Sequence, residues 1–308
     1  MSFRKESRLT NLPFNNPILN ERFKYEECFR IVTYDFLIRT NSEMILREFQ
    51  KLYSYFISSS PTKPKNIYTV FINNGNKRPK PIHTIFSKKD IAFKTMNISE
   101  IIPLLEWLVI NDAGISLSNF LQIHAGAVEK NKKGFLFPSG PGKGKTTLIL
   151  GLILDGFKYL TDEVSLVSPD NLMIEPFPRS LCIKESSFQL FQNLKSDFNL
   201  KDYFLRYDNQ KAWYINPLHL HKECLGNQTK VNYIVFINFD PKEKSRLEEI
   251  SKSKTILEMT KQSFNLSSFN NKGMDMLVSI VSNAKCYTLF SNNLKNSIKL
   301  INSLLNHD

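Results

Sequence analysis

The chain has 308 residues, 42% of them hydrophobic, enough for one large domain or two modest ones around a buried core. Its 41 Lys and Arg against 29 Asp and Glu give a net charge of +12, yet the lysines are scattered, as in "KNKK" at 130–133, "KPK" at 63–65 and "KEK" at 242–244. Without a basic stripe interleaved with aromatics the excess reads as solvated surface lysine, with attraction toward an acidic partner as the alternative, and no nucleic-acid partner is expected.

The cysteines Cys28, Cys182, Cys224 and Cys286 lie far apart without a CxxC pair, which argues against a zinc ribbon or a disulfide framework and suits a reducing compartment. The opening "MSFRKESRLTNLPFNNP" lacks the apolar core of a secretory signal, and no run reaches the ~18 apolar residues of a membrane span. The expectation is a cytoplasmic protein with no membrane partner.

Along the chain, residues 1–98 are expected to form a small α+β unit, a candidate for presenting a substrate. "FRIVTYDFLI" (Phe29 to Ile38) reads as a strand, and Asn41 and Ser42 offer caps to a helix with Ile45, Phe49, Leu52 and Phe56 on one face. "SSSPTKPKN" ends that helix. "IYTVFI" and "PIHTIF" then read as a hairpin around "NNGN". A second helix begins near Ser99, with Pro103 in its first turn. "FLQIHAGAVEK" reads as one strand and "FLFP" as the next, running into a glycine loop. After the loop come a helix from about Lys145 to Leu154 capped by Gly156 and a series of short strands, of which "VNYIVFINF" is the strongest. Helices over 254–264 and 271–283, the strand "CYTLF" and a last helix close the order.

The loop Ser139, Gly140, Pro141, Gly142, Lys143, Gly144, Lys145, Thr146 fits G-x-x-x-x-G-K-[ST] at every position but the first, where Ser139 replaces glycine. Glycines let successive N–H groups turn inward around an anion, the helix start adds its positive end, and Lys145 can span β- and γ-phosphates while Lys143 faces solvent. Thr146 supplies a hydroxyl for Mg²⁺, and Thr147 follows in the same first helical turn. An acidic pair comes soon after: Lys145 to Asp162 is 162 − 145 = 17 residues, and Glu163 is next. The expected ligands are therefore nucleotide phosphates and Mg²⁺.

The run "IHAGAVEKNKKGFLFPSGPGKGKTTLILGLILDGFKYLTDEVSLVSPDNLMIEPFPRSLCIKE" resembles the core of the HPr kinase/phosphorylase superfamily, and most of all its relatives that act as lasso-peptide kinases. The likeness covers about 120–305. It implies an α/β fold with a P-loop kinase core of the HPr kinase/phosphoenolpyruvate carboxykinase type over 99–308, preceded by the small N-terminal α+β domain. It implies further that Lys145 and the loop amides bind ATP phosphates, Thr146 binds Mg²⁺, Asp162 serves as general base toward a serine hydroxyl and can also ligate the metal, Glu163 is its metal-binding neighbour, His124 lies near the reacting phosphate, and Arg179 approaches phosphate or substrate. Glu163 in place of a second aspartate, and "PFPRSL" in place of a glycine-rich segment, point away from HPr as the acceptor and toward the peptide-modifying relatives.

The expected function is thus an ATP- and Mg²⁺-dependent serine kinase acting on a peptide or small protein, such as the precursor of a modified natural product. A small-molecule or nucleoside monophosphate kinase and a non-catalytic nucleotide switch are the alternatives. A homo-oligomer is compatible with the resemblance, since the HPr enzyme forms hexamers. Taken singly, the residues also permit plainer roles: Asp162 and Glu163 as a strand-end acidic pair, His124 as a satisfied core histidine, Arg179 as a surface ion-pair partner. Glu175 has a weaker claim as a metal ligand, and His219 and His221 of "HLH", with no third His or Cys nearby, read as solvent-facing.

Overall fold

β-branched and aromatic residues build the first layer. Strands β1 (Tyr25–Ile31) and β2 (Tyr34–Thr40) pair antiparallel, so the segment Phe29 to Ile38 is a tight hairpin rather than the single expected strand. It turns at Val32, whose φ of 54° is unusual for a β-branched residue. Helix α1 (Glu43–Leu52) buries Ile45, Phe49 and Leu52, and Phe56 reaches the same core from a short 3₁₀ turn. Ser42 caps α1 only with its backbone, while the Asn41 amide joins Ile72 by two hydrogen bonds of 2.8 and 2.9 Å. Strand β3 (Asn66–Phe71) lies parallel to β2, and β4 (His83–Ser87) and β5 (Asp90–Thr95) follow antiparallel, giving the order β1-β2-β3-β4-β5. Helix α2 (Ile101–Ser116) covers this layer, and its Ile101, Leu105, Val109 and Ala113 share one apolar core with Phe29, Phe36, Phe49 and Tyr68, joined by Leu166 and Phe177.

The computed structural model describes residues 23–58, 63–75, 81–140, 142–191, 203–206, 208–220 and 223–306, and it is a mixed α/β fold. The expected features at Asn76, Pro141 and His221, and the first 22 residues of the N-terminal unit, lie outside the described residues.

The second layer begins with β6 (Leu121–Ile123) and β7 (Ala125–Lys130), which His124 separates, so "FLQIHAGAVEK" is two strands. Then come β8 (Lys133–Pro138), α3 (Lys145–Leu154), β9 (Lys158–Thr161), β10 (Ser165–Val167), β11 (Met173–Glu175), β12 (Leu181–Lys184) and α4 (Glu185–Phe188). They are followed by β13 (Phe204–Leu205), β14 (Lys211–Ile215), α5 (Pro217–Leu220), β15 (Thr229–Phe239), β16 (Arg246–Glu249), α6 (Lys252–Gln262), α7 (Asn271–Asn283), β17 (Lys285–Ser291) and α8 (Leu294–Ser303). The large sheet runs β6-β10-β11-β15-β8-β7-β9, with β17 parallel to β15 and β16 on β17. A smaller sheet, β12-β14-β13, lies alongside α3 and α4.

Period-two alternation divides the large sheet's two faces. Phe135, Phe137, Tyr233 and Val235 point to α3 and α8, and Leu136 and Ile234 point to the core that holds Met259 and Leu277 of α6 and α7. Strand β15 is the spine: it lies parallel to β8 with an irregularity between Val231 and Tyr233, and the rings of Phe135 and Tyr233 stack at 4.5 Å. At that irregularity Gly134 presses on β15, where a Cβ would stand 2.3 Å from the Lys230 carbonyl oxygen and 2.8 Å from Thr229 Cγ2. Gly134→Ala is therefore expected to destabilise the protein by about 1–3 kcal/mol, since the clash is with backbone. A urea midpoint equal to that of wild type would show that β15 yields freely there.

Candidate active site

Strand β8 delivers the chain to Ser139 and α3 receives it at Lys145, so the glycine loop bridges a sheet strand and a helix start as expected. Gly142 and Gly144 have φ of 80° and 85°, left-handed conformations that glycine adopts without strain, and a Cβ on Gly140, Gly142 or Gly144 would meet nothing within 4 Å. The described glycines of the loop thus face open space. Lys143 is exposed on the loop, whereas Ser139 is buried with its hydroxyl lacking a hydrogen-bond partner and its N–H donating to the His124 carbonyl at 3.3 Å.

Lys145 is buried, and its ammonium has no hydrogen-bond partner; the nearest carboxylate, Glu163, is at 3.9 Å. Room for its stem comes from Gly126 of β7, where a Cβ would lie 2.9 Å from Ile149 and 3.3 Å from Lys145 Cγ. The Thr146 hydroxyl donates to Asp162 at 2.8 Å, and the Thr147 hydroxyl to Ser187 of α4 at 3.0 Å.

Asp162 and Glu163 follow the end of β9 and face different partners. Asp162 is fully buried, with one carboxyl oxygen on Thr146 and the other unbonded. Burial and then the Glu163 charge push it up to about 6, against the opposing pull of Lys145 and Thr146. Glu163 is half-exposed and hydrogen-bonded to His124 Nε2 at 3.3 Å. Desolvation by its surroundings raises it, but the His124 hydrogen bond and the Lys145 and Arg179 charges outweigh that and hold it down at about 2. Two adjacent carboxyls are thereby pushed apart in proton affinity, the pattern from which acid and base roles are read.

His124 is fixed by its N–H, which donates to the Gln262 carbonyl at 2.7 Å, and its ring lies 5.6 Å from the exposed ring of Phe264. The 263–265 segment is held there because Phe264 N–H donates to Gln122 and Asn265 accepts from it. Arg179 is not a surface residue: it is buried, 3.7 Å from Glu106 of α2, with its Nε unbonded. Burial alone would lower it, but the Glu106 carboxylate reverses this and raises it well above the ordinary guanidinium range. Sequence reasoning passed over Glu106, although a lone charge in the apolar run "IIPLLEWLVI" was a signal that a buried partner exists. Glu175 accepts a hydrogen bond from Gln228 at 2.6 Å. Among the described residues no three His, Cys, Asp or Glu side chains cluster as metal ligands.

The fold and site together define a mixed α/β protein with an open glycine loop at a strand–helix junction, backed by a buried lysine and two carboxyls. No protein-family model and no curated protein matches the chain. Among solved structures it is similar to the HPr(Ser) kinase/phosphatase from Coxiella burnetii, at 14% identity over 60% of this chain and 95% of that one, with a TM-score of 0.30. A likeness so remote carries no weight for what the loop binds. No helix among the described residues is long and apolar enough to cross a membrane.

The raised Asp162 value has a consequence for stability. Its folded value of about 6 exceeds the ordinary 3.8, so the ionised form opposes folding above pH 6, and this penalty fades as the pH falls toward 4. In protein free of metal and nucleotide, Asp162→Asn is expected to be more stable than wild type at pH 7.5, by on the order of 2 kcal/mol, with the gap closing near pH 4. Thermal melts at the two pH values test this, and a variant less stable at pH 7.5 would contradict it.

Proposed function

We propose that the protein is an ATP- and Mg²⁺-dependent phosphotransferase that passes the γ-phosphate to a serine hydroxyl on a peptide or small protein. The observation that carries this reading is the buried Lys145 ammonium, without a hydrogen-bond acceptor, at the base of an open glycine loop on a helix N-terminus. Such a group is costly unless an anion completes its surroundings, and a phosphate chain is the anion that a glycine loop at a helix N-terminus commonly holds.

The donor set also fits a hard divalent cation. Thr146 and Asp162 are already in contact, and Glu163 stands beside them in sequence, so the chain offers one hydroxyl and two carboxyls. Mg²⁺ is commonly held by one or two carboxylates with the remaining ligands from phosphates and water, so no closed protein cage is required. When bound, the metal neutralises charge developing on the phosphates.

The chain's own residues then divide the work. Lys145 and the loop N–H groups hold the phosphates in line, and Ser139 offers one more donor at the entrance. Asp162, a buried carboxyl with one oxygen free of hydrogen bonds, would accept the proton of an attacking hydroxyl. As the oxygen–phosphorus bond to the acceptor forms, the bond to the bridging oxygen of the diphosphate breaks, ADP leaves with that electron pair, and the hydroxyl proton passes to the Asp162 carboxylate. His124 holds Glu163, which keeps a negative charge beside Lys145. The N-terminal layer and the segment after residue 98 form the substrate-facing and the catalytic parts of one molecule on this reading, and the setting is cytoplasmic.

Radiolabel transfer from γ-labelled ATP to a library of serine-containing peptides tests the proposal. Wild type is expected to label peptide, Lys145→Met to lose at least about 10²-fold in transfer together with nucleotide affinity, and Asp162→Asn to lose a similar factor in transfer. Efficient labelling of a free nucleoside monophosphate or sugar instead would mark a small-molecule kinase, and nucleotide binding without transfer to any acceptor would mark a switch.

A further inference from the structure

Arg179 and Glu106 are 179 − 106 = 73 residues apart and come from different layers, yet each is only 6% exposed and their side chains approach to 3.7 Å. The short segment that carries Arg179 is fastened from both sides. Toward the carboxyl pair, Phe177 N–H donates to the Leu160 carbonyl at 2.8 Å, and the Tyr159 hydroxyl donates to the Arg179 carbonyl at 3.0 Å, both from the strand that leads into Asp162. Toward the N-terminal layer, the Ser180 hydroxyl donates to the Leu52 carbonyl at 2.9 Å, Asn216 donates to the Lys51 carbonyl at 2.7 Å, and the rings of Phe56 and Phe177 meet at 5.6 Å. The open carbonyl end of α1 is thus capped by side chains of the catalytic layer.

A pair whose only task was to join two layers would be expected to use the guanidinium fork in full, with two parallel bonds to the carboxylate. Here a single contact longer than a hydrogen bond leaves the buried Nε unbonded. Glu106 therefore balances the charge of Arg179 and fixes its place without consuming its donors. The backbone of the Arg179 segment is in turn tied to β9, which ends at Asp162, by the Tyr159 and Leu160 hydrogen bonds.

We propose that Glu106 is a positioning residue of the candidate active site, which it serves by fixing Arg179 in the segment hydrogen-bonded to β9, the strand that leads into Asp162 and Glu163, and that α2 is consequently a working part of that site. The proposal rests on the phosphotransferase reading and deepens it: the N-terminal layer sets catalytic geometry in addition to any role in presenting a substrate.

The test uses the full chain and Mg²⁺-ATP with water as acceptor, so that it does not depend on the peptide. Glu106→Gln keeps the size of the side chain and removes its charge. It is expected to lower kcat for phosphate release at least tenfold while the nucleotide Kd stays within threefold, and Arg179→Lys is expected to behave alike. If Glu106→Gln leaves Arg179 uncompensated and does not fold, the charge-free pair Glu106→Gln/Arg179→Gln is measured instead, with the same tenfold loss expected at unchanged Kd. A purely structural pair would lower the melting temperature and leave kcat of the folded protein at the wild-type level, and that result overturns the proposal. Wild type that neither binds nucleotide nor releases phosphate overturns the parent reading, and this one with it.

Discussion

A buried ammonium that touches no acceptor is the constraint around which the rest of the site is arranged. Lys145 has lost most of its water, and its nearest carboxylate, Glu163, stands at 3.9 Å, beyond hydrogen-bonding distance. Removing a cation from water costs several kcal/mol, and a single long-range partner offsets only part of that. The neighbours follow from this need: Glu163 is kept ionised by His124 and Lys145, and that charge makes it harder for Asp162 next door to ionise. Burial of Asp162 and the His124 hydrogen bond to Glu163 thereby separate two chemically similar carboxyls into an anion and a titratable group, while Lys145 favours the charged form of both. Even the glycine in "HAGAV" belongs to the arrangement, because any side chain at Gly126 would press on Ile149 and on the Lys145 stem.

The large sheet makes such a buried charge tolerable by holding it at the edge of two well-packed cores. Phe135 and Phe137 of β8 fix the strand against Tyr233 and α3, so the chain leaves the sheet in a defined direction at Ser139. Because β8 runs parallel to β15 and β15 to β17, their carboxyl ends lie on one side, the side on which open α/β sheets place ligands. The loop is short, and Gly142 and Gly144 within it adopt left-handed conformations.

How much of this the sequence made legible depends on the range of the interaction. The strand–loop–helix unit was readable because each signal is local: an apolar strand, glycines at set spacing, Lys145 at a helix start, and Gly156 at φ 89° past its end. The hairpin inside Phe29 to Ile38 was not, since Val32 and Thr33 carry none of the Asn or Gly that mark a two-residue turn and the apolar pattern runs on through them. Strands β5 and β16 were missed for a related reason: "DIAFKT" and "RLEE" are too polar to show an apolar alternation, and they form because neighbouring strands supply hydrogen-bond partners. The carboxyl pair was visible by spacing, but the split in its proton affinities was not, because that split rests on burial and on contacts from Thr146 and His124 across 16 and 39 residues. Arg179 was noticed as a residue and mistaken in its surroundings. Its partner Glu106 lies in a helix that packs on the first layer, and no one-dimensional pattern reports that this helix meets the "PFPRSL" segment.

The charges within the site also say what kind of anion it can accept. Lys145 and Arg179 contribute two positive charges, and Glu106 and Glu163 cancel them, so the balance is decided by Asp162. Above pH 6 Asp162 is ionised and the cluster is net negative, despite the +12 carried by the whole chain. On the proposed reading a triphosphate arriving alone would bring several more negative charges to a site that already has an excess of one, and the loop amides with a single lysine are too few to offset them. A divalent cation, for which Thr146 and the two carboxyls would be the protein ligands, would supply the missing positive charge, so that metal and nucleotide would each favour the other's binding. On that reading Lys145 would answer the phosphates and a metal the carboxyls, two separate positions that one further lysine could not fill together.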